Sequence, residues 1–358
     1  MFIIVTDERG DDYNQLEGTI QKLKRFGIKC YCVGNASLFG REKGYVQWTY
    51  EDGSKELLPV DQGPETVAAE RVQLAFWGNA GRGLRNLYAG FGSYALTRLC
   101  GETGGIFFIA NQGKITFDHE IMRDYAPDYR PIRMYQNNLK INLAKQMLVQ
   151  AATITATEGI PTPTMVFRAE NDNILRIEIT EAQKPMAEVD YKFEEILRML
   201  LIGEKDRKKL KSPRWRASYD LALGRTAAMR VRAFGYNSML AEMKATPKSF
   251  KSPKGNQWRL VPSKEINSGP SVRKLAKKAD EYLKRVIEDH PGTPWALFAE
   301  RELSQPFGWA WKESVNPFAN KNIKKNTTPE QVRLLLAEEE RERMKKRKKV
   351  KPRPKPVL

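Results

Sequence analysis

The chain has 358 residues, of which 41% are hydrophobic and 29% are charged, and its formal net charge is +18. This length is enough for two or three domains, and the composition is that of a globular protein, which argues against wholesale disorder. No stretch approaches the roughly 18 apolar residues of a membrane span, and Asp7 comes too early for a signal peptide. As written, the sequence therefore predicts a cytoplasmic protein without a transmembrane segment.

The basic charge increases toward the C-terminus. Residues 1–117 hold 13 basic and 13 acidic residues, whereas residues 341–358 hold 10 basic residues and 1 acidic residue. We expect residues 345–356 to be disordered and the basic end to bind polyanions weakly and without sequence preference, because it has almost no apolar residues to bury. A purely solubilising role is the alternative. The candidate polyanion-binding residues are Lys345, Lys346, Arg347, Lys348, Lys349, Lys351, Arg353 and Lys355.

The first part of the chain has the pattern of a parallel sheet. The run of residues 2–5 is apolar and β-branched, residues 13–25 have helical spacing, and residues 28–33 form a second apolar run. Short connections of this kind predict a strand, a helix and a parallel strand. Residues 94–102 and 106–109 then predict another helix and a third strand.

An insertion separates the two halves of this pattern. Within residues 34–92, the segments 45–50 and 55–60 alternate like strands and are joined by a turn at residues 51–54. We expect them to form a hairpin.

The character of the chain changes after residue 117. Helices are predicted at 139–151, 187–202, 214–243, 272–288 and 329–344, with a small hairpin of 164–169 and 174–180 and a loop at 247–270. Proposed domains are an α/β domain at 1–117, a mainly helical domain at 118–316, and a charged helix with a basic tail at 317–358.

Two segments resemble a known family. The run Ile3-Ile-Val-Thr-Asp-Glu-Arg-Gly-Asp-Asp12, with its helix and the strand at 28–33, resembles the fourth strand onward of a von Willebrand factor A domain. The segments Tyr94-Ala-Leu-Thr-Arg-Leu and Glu102-Thr-Gly-Gly-Ile-Phe-Phe108 are similar to that family's final helix and strand. The resemblance implies the C-terminal half of such a domain from a bacterial protein, truncated at its N-terminus. A longer native N-terminus could carry a signal peptide, and the protein would then be exported.

The resemblance also gives the expected fold. It implies an α/β fold with an incomplete doubly wound, mostly parallel sheet, which is followed here by a mainly α-helical region with a small β-hairpin. An incomplete sheet leaves the edge at residues 2–5 without a neighbouring strand, so we expect self-association through this edge.

A metal site is implied only in part. The family holds a divalent cation in its metal-ion-dependent adhesion site, through Asp-x-Ser-x-Ser after the first strand, a Thr in a middle loop and an Asp after the fourth strand. Only the last has a counterpart, Asp7. A hard cation needs several oxygen ligands, so we expect no cofactor as the chain is written, and Mg²⁺ or Ca²⁺ only if the missing N-terminal strands are present.

No catalytic group emerges from the sequence. His119 and His290 lack partners with metal-ligand spacing, and the three cysteines, Cys30, Cys32 and Cys100, are expected to be buried. Aromatic residues and arginines alternate in the predicted helix at 214–243, where core packing with an arginine-lined solvent face is the expectation. We therefore predict a non-enzymatic protein-interaction or scaffold protein with an unidentified protein partner. The alternative is a nucleic-acid-associated protein that binds phosphates through the basic helical region and the tail.

Overall fold

The computed structural model describes residues 1–6, 13–41, 43–77, 84, 87–111, 113–157, 160–317 and 328–347. These residues form a mixed α/β structure in which helices predominate. The chain divides into two compact units. Unit 1 consists of Met1–Ile160, Phe193–Met229 and Leu275–Gln305, and unit 2 of Pro161–Lys192, Arg230–Lys274 and Pro306–Leu358. This division follows spatial proximity, and the domain boundaries at 117 and 316 stay a prediction.

The elements are numbered in chain order. The strands are β1 (Phe2–Thr6), β2 (Cys30–Asn35), β3 (Lys43–Thr49), β4 (Lys55–Asp61), β5 (Phe107–Asn111), β6 (Val166–Arg168), β7 (Gln257–Ser263) and β8 (Gly308–Ser314). The helices are α1 (Leu16–Arg25), α2 (Tyr94–Glu102), α3 (His119–Arg123), α4 (Ile132–Lys140), α5 (Leu143–Thr157), α6 (Asp172–Gly203), α7 (Pro213–Ala245), α8 (Pro270–Asp289), α9 (Pro294–Leu303) and α10 (Pro329–Arg347).

Unit 1 contains the predicted parallel sheet. Its strand order is β1-β2-β5, and both pairs are parallel. Helices α1 and α2 pack on one face, where their apolar side chains meet Cys30 and Cys32 of β2 in a buried cluster. Gly27, with φ of 64°, ends the turn after α1, because this left-handed conformation strains residues with a Cβ atom.

The opposite face of this sheet carries exposed apolar side chains. Ile3, Val5 and Phe108 are 62%, 77% and 50% exposed. Val5 and Phe108 flank Val33 in one cross-strand row. A complete doubly wound sheet has helices on both faces, whereas the described residues place α1 and α2 on one face of this sheet. Strand β1 also lies at the edge of the sheet, with β2 as its described neighbour.

The inserted hairpin is confirmed. Strands β3 and β4 pair antiparallel from Lys43 opposite Asp61 to Thr49 opposite Lys55. In the turn, the Asp52 carboxylate accepts a hydrogen bond from the Ser54 amide at 3.0 Å, and Gly53 has φ of 76°. The turn residues therefore provide the local hydrogen bond and the left-handed backbone that the sequence led us to expect.

The predicted helix at 139–151 is divided in the structure. Helix α4 ends at Lys140 and α5 begins at Leu143. Between them, the Asn142 side-chain oxygen accepts a hydrogen bond from the Lys145 amide at 3.1 Å. Asparagine at this position satisfies an amide that a helix end leaves without a partner, so it starts a new helix.

Unit 2 corrects the predicted small hairpin. The segment 164–169 does contain β6, but residues 174–180 belong to α6. The Asn171 side-chain oxygen accepts from the Ile174 amide at 2.9 Å at the start of α6. The buried residues then recur with helical spacing, which overrides the β-branched composition of the segment; they are Leu175, Ile179, Ala182, Met186 and Val189.

The partner of β6 is a strand that the sequence did not predict. Strand β7 lies inside the predicted loop at 247–270, and the antiparallel sheet has the order β6-β7-β8. The core of this sheet is aromatic. The ring centroid of Trp311 lies 5.4 Å from that of Phe167 and 6.5 Å from that of Trp258. The sequence analysis missed β7 because the Pro, Ser and Lys residues around it are typical of loops.

Helix α10 is docked on the rest of unit 2. Val332 is fully buried and packs in one cluster with Ile174. The Glu339 carboxylate accepts a hydrogen bond from Nη1 of Arg168 at 2.8 Å. An apolar and an ionic contact therefore hold α10 in place. No helix among the described residues is long and apolar enough to cross a membrane.

Candidate functional site

The residues predicted to bind ligands lie at the margins of the described structure. Asp7, the candidate metal ligand, lies outside the described residues. Lys345, Lys346 and Arg347 belong to the last turn of α10, where the Lys345 side chain is exposed. The other predicted polyanion-binding residues, Lys348, Lys349, Lys351, Arg353 and Lys355, lie outside the described part.

The arginine-rich helix α7 is only partly as expected. Trp215, Tyr219 and Tyr236 are buried, as core packing requires, while Phe234 is 41% exposed. The predicted arginine-lined solvent face is wrong for three residues, which are also buried: Arg214, Arg225 and Arg232. Burying a guanidinium is expensive unless a carboxylate and hydrogen bonds compensate it, so the partners of the buried arginines become informative.

The buried guanidinium of Arg214 in unit 1 has hydrogen-bond partners at Nε, Nη1 and Nη2. Its Nη2 donates to Glu65 at 2.7 Å, its Nε donates to Glu70 at 3.0 Å, and its Nη1 donates to the Tyr125 carbonyl at 3.2 Å. The hydroxyl of Tyr135 completes the network by donating to Glu70 at 2.8 Å. Burial raises the pKa of Glu65, and Arg214 opposes this increase. The network joins the segment after β4 to α7 through paired charges, although Oε1 of Glu65 is buried without a hydrogen-bond partner.

Other buried or half-buried arginines of unit 1 have carboxylate partners too. They pair with acidic side chains at 2.5–3.1 Å, which is the range of charge-assisted hydrogen bonds. The pairs are Arg98 with Glu17 and Glu102, Arg207 and Arg285 with Asp220, and Arg225 with Glu302.

Arg71, Arg216 and Arg301 of unit 1 depart from this rule, and Arg71 and Arg301 share one aromatic ring. The guanidinium carbons of Arg71 and Arg301 each lie 4.7 Å from the ring centroid of Phe298, and that of Arg225 lies 5.6 Å from it. Within the described residues, the side chains of Arg71 and Arg301 make no hydrogen bond or ion pair, and the Nε atom of each is buried without an acceptor. We call Arg71, Arg225, Arg301 and Phe298 the Phe298 arginine cluster.

Helix α9 provides the frame of this cluster. Its first turn is capped by Thr293, whose hydroxyl accepts from the Ala296 amide at 3.3 Å, and Pro294 occupies the first position. Residues three and four apart lie on the same side of a helix, so Phe298, Arg301 and Glu302 are neighbours. Helix α7 contributes Arg225, which bonds Glu302 at 3.1 Å.

Arg71 comes from the irregular segment between β4 and α2. Its guanidinium lies against the rings of both Phe39 and Phe298, at 5.2 and 4.7 Å from their centroids. The backbone at Gly40, with φ of 62°, comes so close that a Cβ atom there would lie 2.4 Å from Cβ of Arg71. The tight approach fixes the position of Arg71 beside the ring pair.

The electrostatics of the cluster are those of crowded like charges. Burial lowers the pKa of Arg71 well below its ordinary value, and Arg41, Arg225 and Arg301 lower it further, while Glu65 raises it. Burial likewise lowers the pKa of Arg301 to about 10, with Arg225 adding to the effect. Glu65 raises the pKa of Arg71 and Glu302 raises that of Arg301, but both pKa values stay below the ordinary value, so burial and the neighbouring positive charges outweigh these carboxylates.

An excess of buried positive charge is suited to binding an anion. Aromatic rings over a desolvated guanidinium stabilise it by about 2 kcal/mol or somewhat more, which offsets only part of a desolvation cost of several kcal/mol. The rings also leave the N–H groups at the guanidinium edge available to an oxyanion. The sequence analysis missed this site because Arg71 and Arg301 are far apart in sequence. Only the Phe298-to-Arg301 spacing on a helix was a local signal.

The other reactive side chains are poorly placed for chemistry. Burial raises the pKa of Cys32 to about 11 and that of Cys100 to about 12, so both thiols stay protonated at neutral pH. His290 follows α8 and is buried, with the Tyr125 hydroxyl 2.8 Å from its Nδ1. Burial lowers the pKa of His290.

Among the described residues, no group of three or more His, Cys, Asp or Glu side chains is placed to hold a metal ion. Comparison of the chain with protein-family models, with curated proteins and with solved structures finds no match.

Proposed function

We propose that this chain is a non-catalytic binding protein and that unit 1 recognises an anionic group through the Phe298 arginine cluster. One observation carries the proposal: Arg71 and Arg301 are held against one ring without a carboxylate, in a unit where Arg98, Arg207 and Arg214 all have one. Buried charges are normally paired, so an external anion is the natural partner.

The lack of catalytic activity remains part of the proposal. The protonated thiols of Cys32 and Cys100 argue against a nucleophile. The Nδ1 atom of His290 lies 2.8 Å from the hydroxyl of Tyr125, whose pKa is raised by burial, so this hydroxyl is a poor nucleophile. A nucleophile, a base and a group that orients the base cannot be named together.

The interaction role that the resemblance implied is retained as a proposal. The strand order β1-β2-β5 supports it, since a doubly wound sheet places its fourth, fifth and sixth strands side by side in chain order. In this view the sheet is the scaffold and the anion is an acidic group of the partner. The divalent cation that the resemblance implies at Asp7 stays an expectation.

The test is anion binding by the full chain. Calorimetric titration with sulfate, phosphate and acetate at low ionic strength should reveal saturable binding of at least one oxyanion. Arg71→Gln should remove this binding, because it removes one of the cluster's two guanidiniums without partners. The matched control is Arg133→Gln, which removes an exposed arginine on α4. Equal binding by both variants, or no saturable binding by the wild-type chain, would show that the cluster is not a site.

A second candidate function rests on unit 2. This unit holds 29 basic and 14 acidic residues, so it carries +15 of the net charge of +18. Such a concentration of charge favours the alternative expected from the sequence, association with nucleic acid through phosphate contacts. Affinity for DNA or RNA that falls steeply with added salt, and that persists after deletion of residues 348–358, would support this function. Affinity lost with that deletion would assign the binding to the tail alone.

A further inference from the structure

The charge of the Phe298 arginine cluster defines the charge of its ligand. Arg71, Arg225 and Arg301 contribute three positive charges, and Glu302 neutralises one of them through its bond to Arg225. Two positive charges remain on the guanidiniums over the ring, and nearby Arg41 adds to the positive potential there. A dianion would neutralise them, whereas a single carboxylate would leave one of them buried and uncompensated, which is unfavourable.

The geometry of the guanidinium donor groups also favours a dianionic ligand. Arg71 is covered by Phe39 and Phe298, and Arg301 by Phe76 and Phe298, so their N–H groups are free only at the edges. Both guanidinium carbons lie 4.7 Å from one ring centroid, so they are at most twice that distance apart. A phosphoryl group has three terminal oxygens and can accept from two guanidinium edges at once, as the planar fork of arginine allows.

The burial of the cluster distinguishes between phosphate esters. Arg71 is 8% exposed and Phe298 is 2% exposed, so the cluster is largely buried. A phosphodiester backbone carries one charge per phosphate and continues on both sides, which suits an open groove. A phosphomonoester carries close to two charges at neutral pH and ends the molecule, so it can enter a recess.

We infer that the Phe298 arginine cluster binds the terminal dianion of a phosphomonoester. This inference rests on the proposed anion-binding function and names its ligand class. The monoester could belong to a small phosphorylated metabolite or to a phosphorylated side chain of a protein, and both present the same group.

The experiment is a calorimetric comparison of methyl phosphate, dimethyl phosphate, acetate and sulfate on the full chain. At neutral pH, methyl phosphate should bind at least about tenfold more tightly than dimethyl phosphate or acetate, because these carry one charge and miss one hydrogen-bonded charge contact. From about pH 7.5 to about pH 5, affinity for methyl phosphate should fall about tenfold, because the second pKa of a monoester is near 6. Sulfate stays a dianion, so its binding should not follow this fall.

The sulfate series also serves as the control for the protein. The charged groups that face the cluster are Arg41, Glu65 and Glu302, and their titration would affect both dianions alike. Arg71→Gln should weaken methyl phosphate binding at least about tenfold, and Arg301→Gln should do the same if the first variant does not fold. Arg133→Gln should leave it unchanged.

The outcomes separate the two proposals. If no anion binds, the proposed function fails and the inference fails with it. If acetate or dimethyl phosphate binds as tightly as methyl phosphate, the anion site stands and the monoester inference is wrong. Tighter binding of a phosphoserine peptide than of a sugar phosphate would identify a protein source, and the reverse would identify a metabolite; either result supports the inference.

Discussion

Replacing Arg301 with methionine should stabilise the protein when no anion is bound. Arg301 is a half-buried cation without a carboxylate partner, and burial and Arg225 lower its pKa to about 10. At about 1.4 kcal/mol for each tenfold change in proton affinity, this decrease corresponds to roughly 3 kcal/mol of destabilisation at neutral pH. Partial exposure of the side chain reduces this to about 2 kcal/mol through solvent screening.

The substitution also removes favourable contacts. Arg301 lies 4.7 Å from the centroids of both Phe76 and Phe298, and loss of these cation–π contacts costs about 1 kcal/mol. Methionine keeps an apolar side chain of similar length in their place. The difference is an increase of about 1 kcal/mol in the free energy of unfolding of Arg301→Met.

Urea denaturation at neutral pH in a buffer without oxyanions measures this difference, with Arg133→Met as the exposed control. The pH dependence has a defined sign. The folded-state pKa of Arg301 is lower than the unfolded one, so the destabilisation is complete below pH 10 and disappears as the pH rises above it. The advantage of Arg301→Met should therefore shrink above about pH 10. Saturating sulfate should stabilise the wild-type chain more than the variant. A variant less stable than wild type by more than 1 kcal/mol, with or without sulfate, would show that ring contacts alone hold Arg301 and would refute the reasoning.

Three further results are expected. Arg214→Met should lower the free energy of unfolding by about 3–5 kcal/mol in urea titration, because it leaves two buried carboxylates without their cation; a loss below 1 kcal/mol would contradict the network described for it. Deleting residues 348–358 should leave the melting temperature unchanged. Deleting residues 329–358 should lower the melting temperature by several degrees, because this deletion removes α10, whose Val332 is buried in unit 2. Equal melting curves for the two deletions would disprove docking of α10. The molar mass from light scattering should rise with concentration through the edge at β1, and Val5→Lys should reduce this association; a concentration-independent monomer would argue against it.

The sequence was sufficient to predict helices and strands that have a local pattern of hydrophobic spacing and turn residues. The parallel strands, α1, α2 and the hairpin of β3 and β4 lie where hydrophobic spacing and turn residues placed them, within a few residues. The same reasoning failed at residues 174–180, where isoleucines favour a strand. These residues form a helix because buried side chains recur at helical spacing from Leu175 to Val189 and because Asn171 caps the start of the helix. Strand β7 was missed because its composition is that of a loop, and only pairing with β6 and β8 defines it.

The candidate site could not be predicted from the sequence. The pattern in α7 drew attention to Arg225, but Arg71 and Arg301 stand in unrelated segments, and a lone arginine is normally a solvated residue. What distinguishes these two is that they share one aromatic ring without a carboxylate partner among their described neighbours, and this is a property of the folded chain alone. Conversely, the charge of the tail is evident from sequence, and its binding role stays a prediction.

The discontinuous make-up of unit 1 has a consequence for how the protein is synthesised. Helix α9 supplies Phe298, Arg301 and Glu302, whereas Arg71 belongs to an early segment of the same unit. At roughly 5 to 20 residues per second, about 10 to 50 s separate the synthesis of Arg71 from that of Glu302 on the ribosome. During this interval Phe39 and the apolar side chains around it have no α9 to pack against. Nascent chains arrested before residue 294 should therefore depend on chaperones that shield apolar surface, and release from them should coincide with the appearance of α9.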